Sequence, residues 1–188
     1  MRKVAGNQKT VKEIQMSKNI FFIGDTHFGH KNILTYCKEN RAFNSIEEHD
    51  QELIKRWNSR VQDNDEVWVL GDFVFGRKNL DIITPQLKGV KYLVMGNHDM
   101  YSTEEYLRYF KKLYGCCSMY DVILSHIPVH ECQLEYRFKY NIHGHMHQHR
   151  VMTKTHKQVV DSRYINVSCE QINLTPISRD ELGIFNSK

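Results

Sequence analysis

Five short stretches of this chain place Asp, Asn and His where metal chemistry could occur. Asp25 and His27 stand two apart, so in extended backbone they face the same way and could grip one ion. Asp72 follows Gly71, and Asn97, His98 and Asp99 are consecutive after Gly96. His126 follows Ser125. His145 and His147 again share a face, inside a run in which His143, His145, His147 and His149 alternate with other residues. Imidazole is the commonest metal-ligating side chain. Each stretch alone also has an ordinary reading. An Asp-x-His pair is common on surfaces, a Gly-Asp after a strand is usually a turn, and a single His is usually structural. What sets these stretches apart is their conjunction, because all the ordinary readings would have to hold together.

The conjunction depends on what precedes each stretch. Short unbroken apolar runs at residues 20–23, 67–70, 92–95, 122–124 and 140–142 end directly in the polar stretches. Such runs, bounded by Gly, read as buried strands. Between them lie helical patterns. Ser45 with Glu48 is a capping-box signature, followed by Ile46, Leu53, Ile54, Trp57 and Val61 on one helical face. Ser102 with Glu105 repeats it, followed by Tyr106, Tyr109, Phe110 and Leu113. Shorter helices are expected over about residues 31–39 and 78–87, the latter limited by Pro85. Strands alternating with helices give an α/β architecture, in which sites gather at the carboxyl edges of the strands. Residues 159–160 and 165–167 read as further strands, expected to be antiparallel.

Composition sets the frame. The chain has 188 residues, 40% hydrophobic and 26% charged, values of an ordinary globular protein. A single domain is expected over residues 18–188, after a polar, disordered extension at residues 1–17. Met16 is a candidate start of translation; an added N-terminal piece is the other reading, and the intact mass of the native product separates the two. No apolar run approaches a membrane span, and no signal peptide is expected. The net charge of +4 is compatible with an anionic substrate but is far from a dedicated nucleic-acid binder. Five cysteines without a CxxC suggest reduced thiols and a cytoplasmic protein.

With these motifs in order, the chain resembles the calcineurin-like metallophosphoesterases. The resemblance runs from about Ile20 to about Pro176. It is carried by Gly24-Asp25-Thr26-His27, Gly71-Asp72, Gly96-Asn97-His98-Asp99, Ser125-His126 and Gly144-His145-Met146-His147. The longer stretch from Asp25 to Ile33, with Asn166-Val167-Ser168, is similar to the small single-domain branch of bacteria and phages.

The resemblance implies a sandwich of two mixed β-sheets flanked by helices. It implies two divalent ions, with Asp25, His27 and His147 on the first, Asn97, His126 and His145 on the second, and Asp72 bridging. It implies that His98 faces the scissile phosphate and that Asp99 hydrogen-bonds His98. Two ions roughly 3.5–4 Å apart would offset phosphate charge and acidify a bridging water, whose hydroxide attacks phosphorus while His98 protonates the leaving group. Imidazole, carboxylate and amide without thiolate suit Mn, Fe, Ni, Co or Zn, and Mn2+ is the expected activator. The branch resembles phosphodiesterases more than phosphomonoesterases, so the expected substrate is a small diester such as a nucleotide. A monoesterase with the same site, and a non-catalytic scaffold on the same fold, are the alternatives. The long insertions of the protein-phosphatase branch and the DNA-binding segments of the nuclease relatives are missing. His30, Asn32 and Arg77, with Lys31, are candidate phosphate contacts, against surface or capping roles. Specificity is expected in the loops around residues 28–45, 73–80 and 127–140.

Overall fold

The computed structural model describes residues 18–155 and 158–185. The extension expected over residues 1–17 lies outside the described residues. The apolar runs form strands, and their side chains alternate between two buried faces. The first sheet contains β1 (Ile20–Ile23), β2 (Glu66–Val69), β3 (Val90–Val94), β4 (Phe110–Tyr114) and β9 (Ile177–Ser178), in the order β4-β3-β2-β1-β9. All pairings are parallel except β9 on β1. The second contains β5 (Cys116–Met119), β6 (Val122–Ser125), β7 (Tyr140–His143) and β8 (Tyr164–Asn166), in that order, with only β5 antiparallel.

Helices cover the outer face of the first sheet. From β1 and β2, Phe21, Ile23, Val67 and Val69 pack against Leu53 and Trp57 of α2 (Ile46–Arg60) and Leu80 of α3 (Asn79–Ile83). The opposite face, with Phe22, Trp68 and Val94, meets Val122, Leu124 and Ile142 of the second sheet. Beyond that sheet, Ile123 packs with Leu134 of α5 (Cys132–Tyr136). Helices, sheet, sheet and helix make the expected four layers. A short α1 (Ile33–Tyr36) follows the first metal motif, and a 3-10 turn over Thr84–Gln86 carries Pro85. Among the described residues, no helix is long and apolar enough to cross a membrane.

Local signals and the observed structure disagree in four places. Ser102 and Glu105 form a complete capping box, but α4 (Thr103–Tyr106) ends after one turn. The residues expected to continue the helix become β4, with Phe110 buried and Lys111 and Lys112 exposed. Spacings of three and four fit a helix here, and pairing with β3 overrides them. At α2 the Ser45 hydroxyl accepts from the Glu48 amide, but the Glu48 carboxylate caps Asn44 instead of Ser45, so the box is only half closed. The strand expected near residues 165–167 is β8, which runs parallel to β7 and not antiparallel. The excursion after β7 carries the chain back to the edge at which β7 begins, so β8 starts there and runs parallel. Val159 and Val160 form no strand; Val160 makes an isolated antiparallel bridge to Met152.

Candidate metal centre

The two sheets deliver their strand ends to one place. Gly24 donates to the Val167 carbonyl at 2.8 Å, and Gly144 donates to that of His126 at 3.0 Å. These bonds stitch together loops that are far apart in sequence. Glycine is required at two of the motifs because another motif's carboxylate fills its space. A Cβ on Gly144 would stand 2.5 Å from Asp25 Oδ2, and one on Gly96 would collide with Asp72 Oδ1 and its backbone nitrogen. Five of the seven expected ligands, Asp25, His27, Asp72, His145 and His147, hold left-handed backbone with φ between 47° and 67°. Non-glycine residues there cost on the order of 1–3 kcal/mol each, and such strain persists only where surrounding structure holds it.

Two triplets of donor atoms result. Asp25, His27 and His147 form one, and Asp72, His126 and His145 the other, with the atoms of each triplet within 4.8 Å of one another. Asp72 Oδ2 lies between them, 3.7 Å from His27 Nε2 and 3.4 Å from His126 Nε2. Asn97 Oδ1 is 3.0 Å from His126 Nε2 and joins the second group. The structure thus assembles all seven residues the sequence singled out.

The donor chemistry fits cations. The Nδ1 of His126 lies 2.8 Å from the Leu70 carbonyl and donates to it, which turns Nε2 toward the centre. Nε2 faces Asn97 Oδ1, Asp72 Oδ2 and, at 3.2 Å, His145 Nδ1. So many acceptors converge there only around a positive charge, a proton on His126 in the metal-free chain or a cation in its place. Both ring nitrogens of His27 are buried without a hydrogen-bond partner, a state that buried polar groups avoid unless something else satisfies them.

Electrostatics agree. Burial pushes the Asp25 carboxyl up to about 6 and the His27 imidazole down to about 2. Burial opposes the charge of Asp72, yet its bond to His126 and that imidazole's charge hold it down to about 2. At His147, burial is outweighed by contacts to Cys37 and Glu170, which raise it to about 10. Asp25 and His27 are therefore groups that water would have stabilised and that an ion can stabilise instead.

His98 is exposed at the edge of this centre. Its backbone nitrogen donates to Asp72 Oδ1 at 2.9 Å, and its ring lies 5.6 Å from Phe75. Asp99 is placed differently from the expectation. Its carboxylate accepts from the backbone nitrogens of Asp72, Phe73 and Gly96 and from the Tyr106 hydroxyl. Those donors occupy both oxygens, and no bond to the His98 ring is among them. Asp99 therefore holds the loop of Asp72 rather than the imidazole of His98.

Two cavities meet at His98 and Phe75. The larger, about 970 Å³, is bounded by Tyr36, Ile127 and the turn after His147; the smaller, about 500 Å³, is bounded by Arg77 and Tyr101. His30 lines the larger cavity, stacked on Phe75 at 4.1 Å and 10°. Arg77 is exposed, with no ion-pair partner among the described residues. Asn32 and Lys31 face a separate groove beside Phe43 and are not brought to the centre. His143 is buried, donating from Nδ1 to the Gly144 carbonyl, while His130 and His149 are exposed.

Sequence reading missed Arg41, Glu170, His49 and Asp50, all buried behind the first triplet. Arg41 and Glu170 carry no local signal, since they meet across 129 residues. His49 and Asp50 had one: a His-Asp pair on the apolar face of α2, between Ile46 and Leu53.

The family model for calcineurin-like phosphoesterases matches residues 18–120. An uncharacterized protein of Methanocaldococcus jannaschii is 35% identical over 167 residues, 87% of this chain and 88% of the relative. The gene 66 protein of Mycobacterium phage L5 is 30% identical over 200 residues, covering 87% and 92%. A crystal structure of a protein of unknown function from Aquifex aeolicus superposes with a TM-score of 0.72 at 26% identity, covering 89% of this chain and 99% of that one.

Proposed function

The chain belongs to the calcineurin-like phosphoesterase family, and we propose that it hydrolyses a small phosphodiester using two divalent ions, Mn2+ foremost. Its family and its candidate metal-binding residues already make it a metal-dependent phosphoesterase in general terms. The observation that carries the dinuclear reading is Asp72 Oδ2, within 4 Å of a histidine from each triplet. Asp25, His27 and His147 would hold one ion; His126, His145 and Asn97 the other; Asp72 both. Bound there, the ions supply positive charge against the phosphate oxygens and lower the pKa of water.

The rest falls to side chains. His98, exposed in the cavity beside His27, His145 and His147, is the proposed proton donor to a leaving oxygen. Its backbone bond to Asp72 ties its position to the bridging carboxylate. The two cavities support the diester reading, since a diester carries two substituents and each would need room on its own side of His98. Arg77 at the smaller cavity and His30 at the larger are the proposed substrate contacts; Asn32, which faces elsewhere, is set aside.

The test is hydrolysis of bis(p-nitrophenyl) phosphate and of the p-nitrophenyl monoester by metal-stripped protein with and without Mn2+. Metal-dependent turnover favouring the diester is expected. Preference for the monoester would replace the diester reading, and no turnover of either with any divalent ion would favour a scaffold.

A further inference from the structure

Behind the first triplet lies a chain of buried polar groups that the reaction itself does not use. The side chains of Arg41 and Glu170 are both fully buried and joined by Nε to Oε1 at 2.7 Å. Glu170 Oε1 also lies 3.1 Å from His147 Nδ1. The Arg41 guanidinium donates to the Asp25 carbonyl and, at 2.9 Å, to that of Thr26. Its Nη1 is 3.1 Å from His49 Nε2, whose Nδ1 is 2.9 Å from Asp50 Oδ1. Asp50 Oδ2 in turn accepts from the Gly29 nitrogen at 2.9 Å. The network therefore grips the loop of Asp25 and His27 at three backbone positions and His147 at its ring.

Buried ion pairs seldom raise stability over apolar packing, so their presence calls for another reason. The grip coincides with the left-handed backbone of Asp25 (φ 55°) and His27 (φ 50°). We propose that Arg41 and Glu170 are positioning residues of the first metal site, Glu170 fixing the His147 ring through Nδ1 and Arg41 fixing both Glu170 and the strained Asp25 turn. A carboxylate on Nδ1 sets the tautomer, so Nε2, 3.9 Å from Asp25 Oδ1, presents its lone pair to the site. Arg41 is required as arginine because it serves a carboxylate, two carbonyls and an imidazole from one planar fork. Cys37, His147 and Glu170 could by distance hold a third ion. The Arg41 guanidinium already neutralises Glu170 and opposes a further cation there.

This inference rests on the metal assignment above, but its test reads out separately. Mn2+ titration of metal-free protein, followed by the signal of the free ion, should resolve two sites in the wild type. Glu170→Gln should weaken one site roughly 10–100-fold and leave the other unchanged. Arg41→Lys should do the same. Wild-type affinity at both sites in folded variants would overturn the proposal, as would equal weakening of both sites. Nitrogen-15 NMR of the metal-free wild type gives a readout that needs no variant and no ion. His147 Nδ1 should carry a proton bonded to Glu170, whatever the state of Nε2, and an unprotonated Nδ1 would overturn the role of Glu170 even if the chain bound no metal.

Discussion

At the scale of single residues, the groups proposed to hold ions differ from the group proposed to move a proton. His98 belongs to the second kind: its ring is exposed and its fold contact is a backbone bond to Asp72. His98→Ala should retain its metal content and lose about 10²–10⁴ in kcat, the usual worth of a positioned proton donor. Wild-type turnover in that variant, with metal content checked alongside, would remove the role. Gly144 belongs to neither kind, yet an added methyl there would press on Asp25 Oδ2. Gly144→Ala should lower affinity for the first ion while the fold persists by circular dichroism; unchanged affinity would contradict the interlocking of the motifs. The candidate ligand residues were legible in the sequence because each follows an apolar run. Asp99 was misassigned because adjacency to His98 says nothing about which way a carboxylate turns, and three backbone amides claim it. Arg41 and Glu170 were invisible because a buried pair joined across the fold leaves no local pattern.

At the scale of elements, strand ends were readable and strand partners were not. Runs such as Ile20–Ile23 declare themselves because both faces are buried, against α2 on one side and the second sheet on the other. The edge strand Phe110–Tyr114 fully buries only Phe110 and exposes Lys111 and Lys112, and its spacing also fits a helix. Strand β5 is half exposed throughout and passed unnoticed. Helix α2 clamps the outer layer through Trp57, which is fully buried and donates from its indole to the Lys88 carbonyl at 3.0 Å. Trp57→Ala should destabilise by about 3–5 kcal/mol in urea unfolding. A loss below about 1 kcal/mol would mean that α2 is not an essential layer. The capping box of α4 closes a helix of a single turn. Ser102→Ala there should cost about 1 kcal/mol, with metal binding untouched.

At the scale of the whole molecule, stability and metal loading are linked through pH. Burial raises the folded-state Asp25 carboxyl from 3.8 to about 6. A folded pKa above the unfolded one means that the contribution of Asp25 is full below about 4 and is lost as pH rises through 6. The metal-free protein therefore carries an ionised, buried Asp25 near neutrality, and a bound cation removes that penalty. Mn2+ should raise Tm more at pH 7.5 than at pH 5.5, where proton and metal compete for the carboxylate. A larger rise at the lower pH would contradict the assignment. Glu170 works in the opposite sense. Its bond to His147 and the charge of Arg41 outweigh burial and hold its carboxyl well below the usual range. Its stabilisation is present above about 4.5 and fades as pH falls below that value.

One carboxylate, Asp72, is proposed to join the two triplets into a dinuclear centre. Metal content of the folded, purified chain after loading and desalting, measured by inductively coupled plasma mass spectrometry on wild type and Asp72→Ala, tests it most directly. Two ions per wild-type chain, with loss from both sites in a folded Asp72→Ala, is the predicted result. A wild-type chain that stays below one ion, or an Asp72→Ala variant that keeps two, would contradict it.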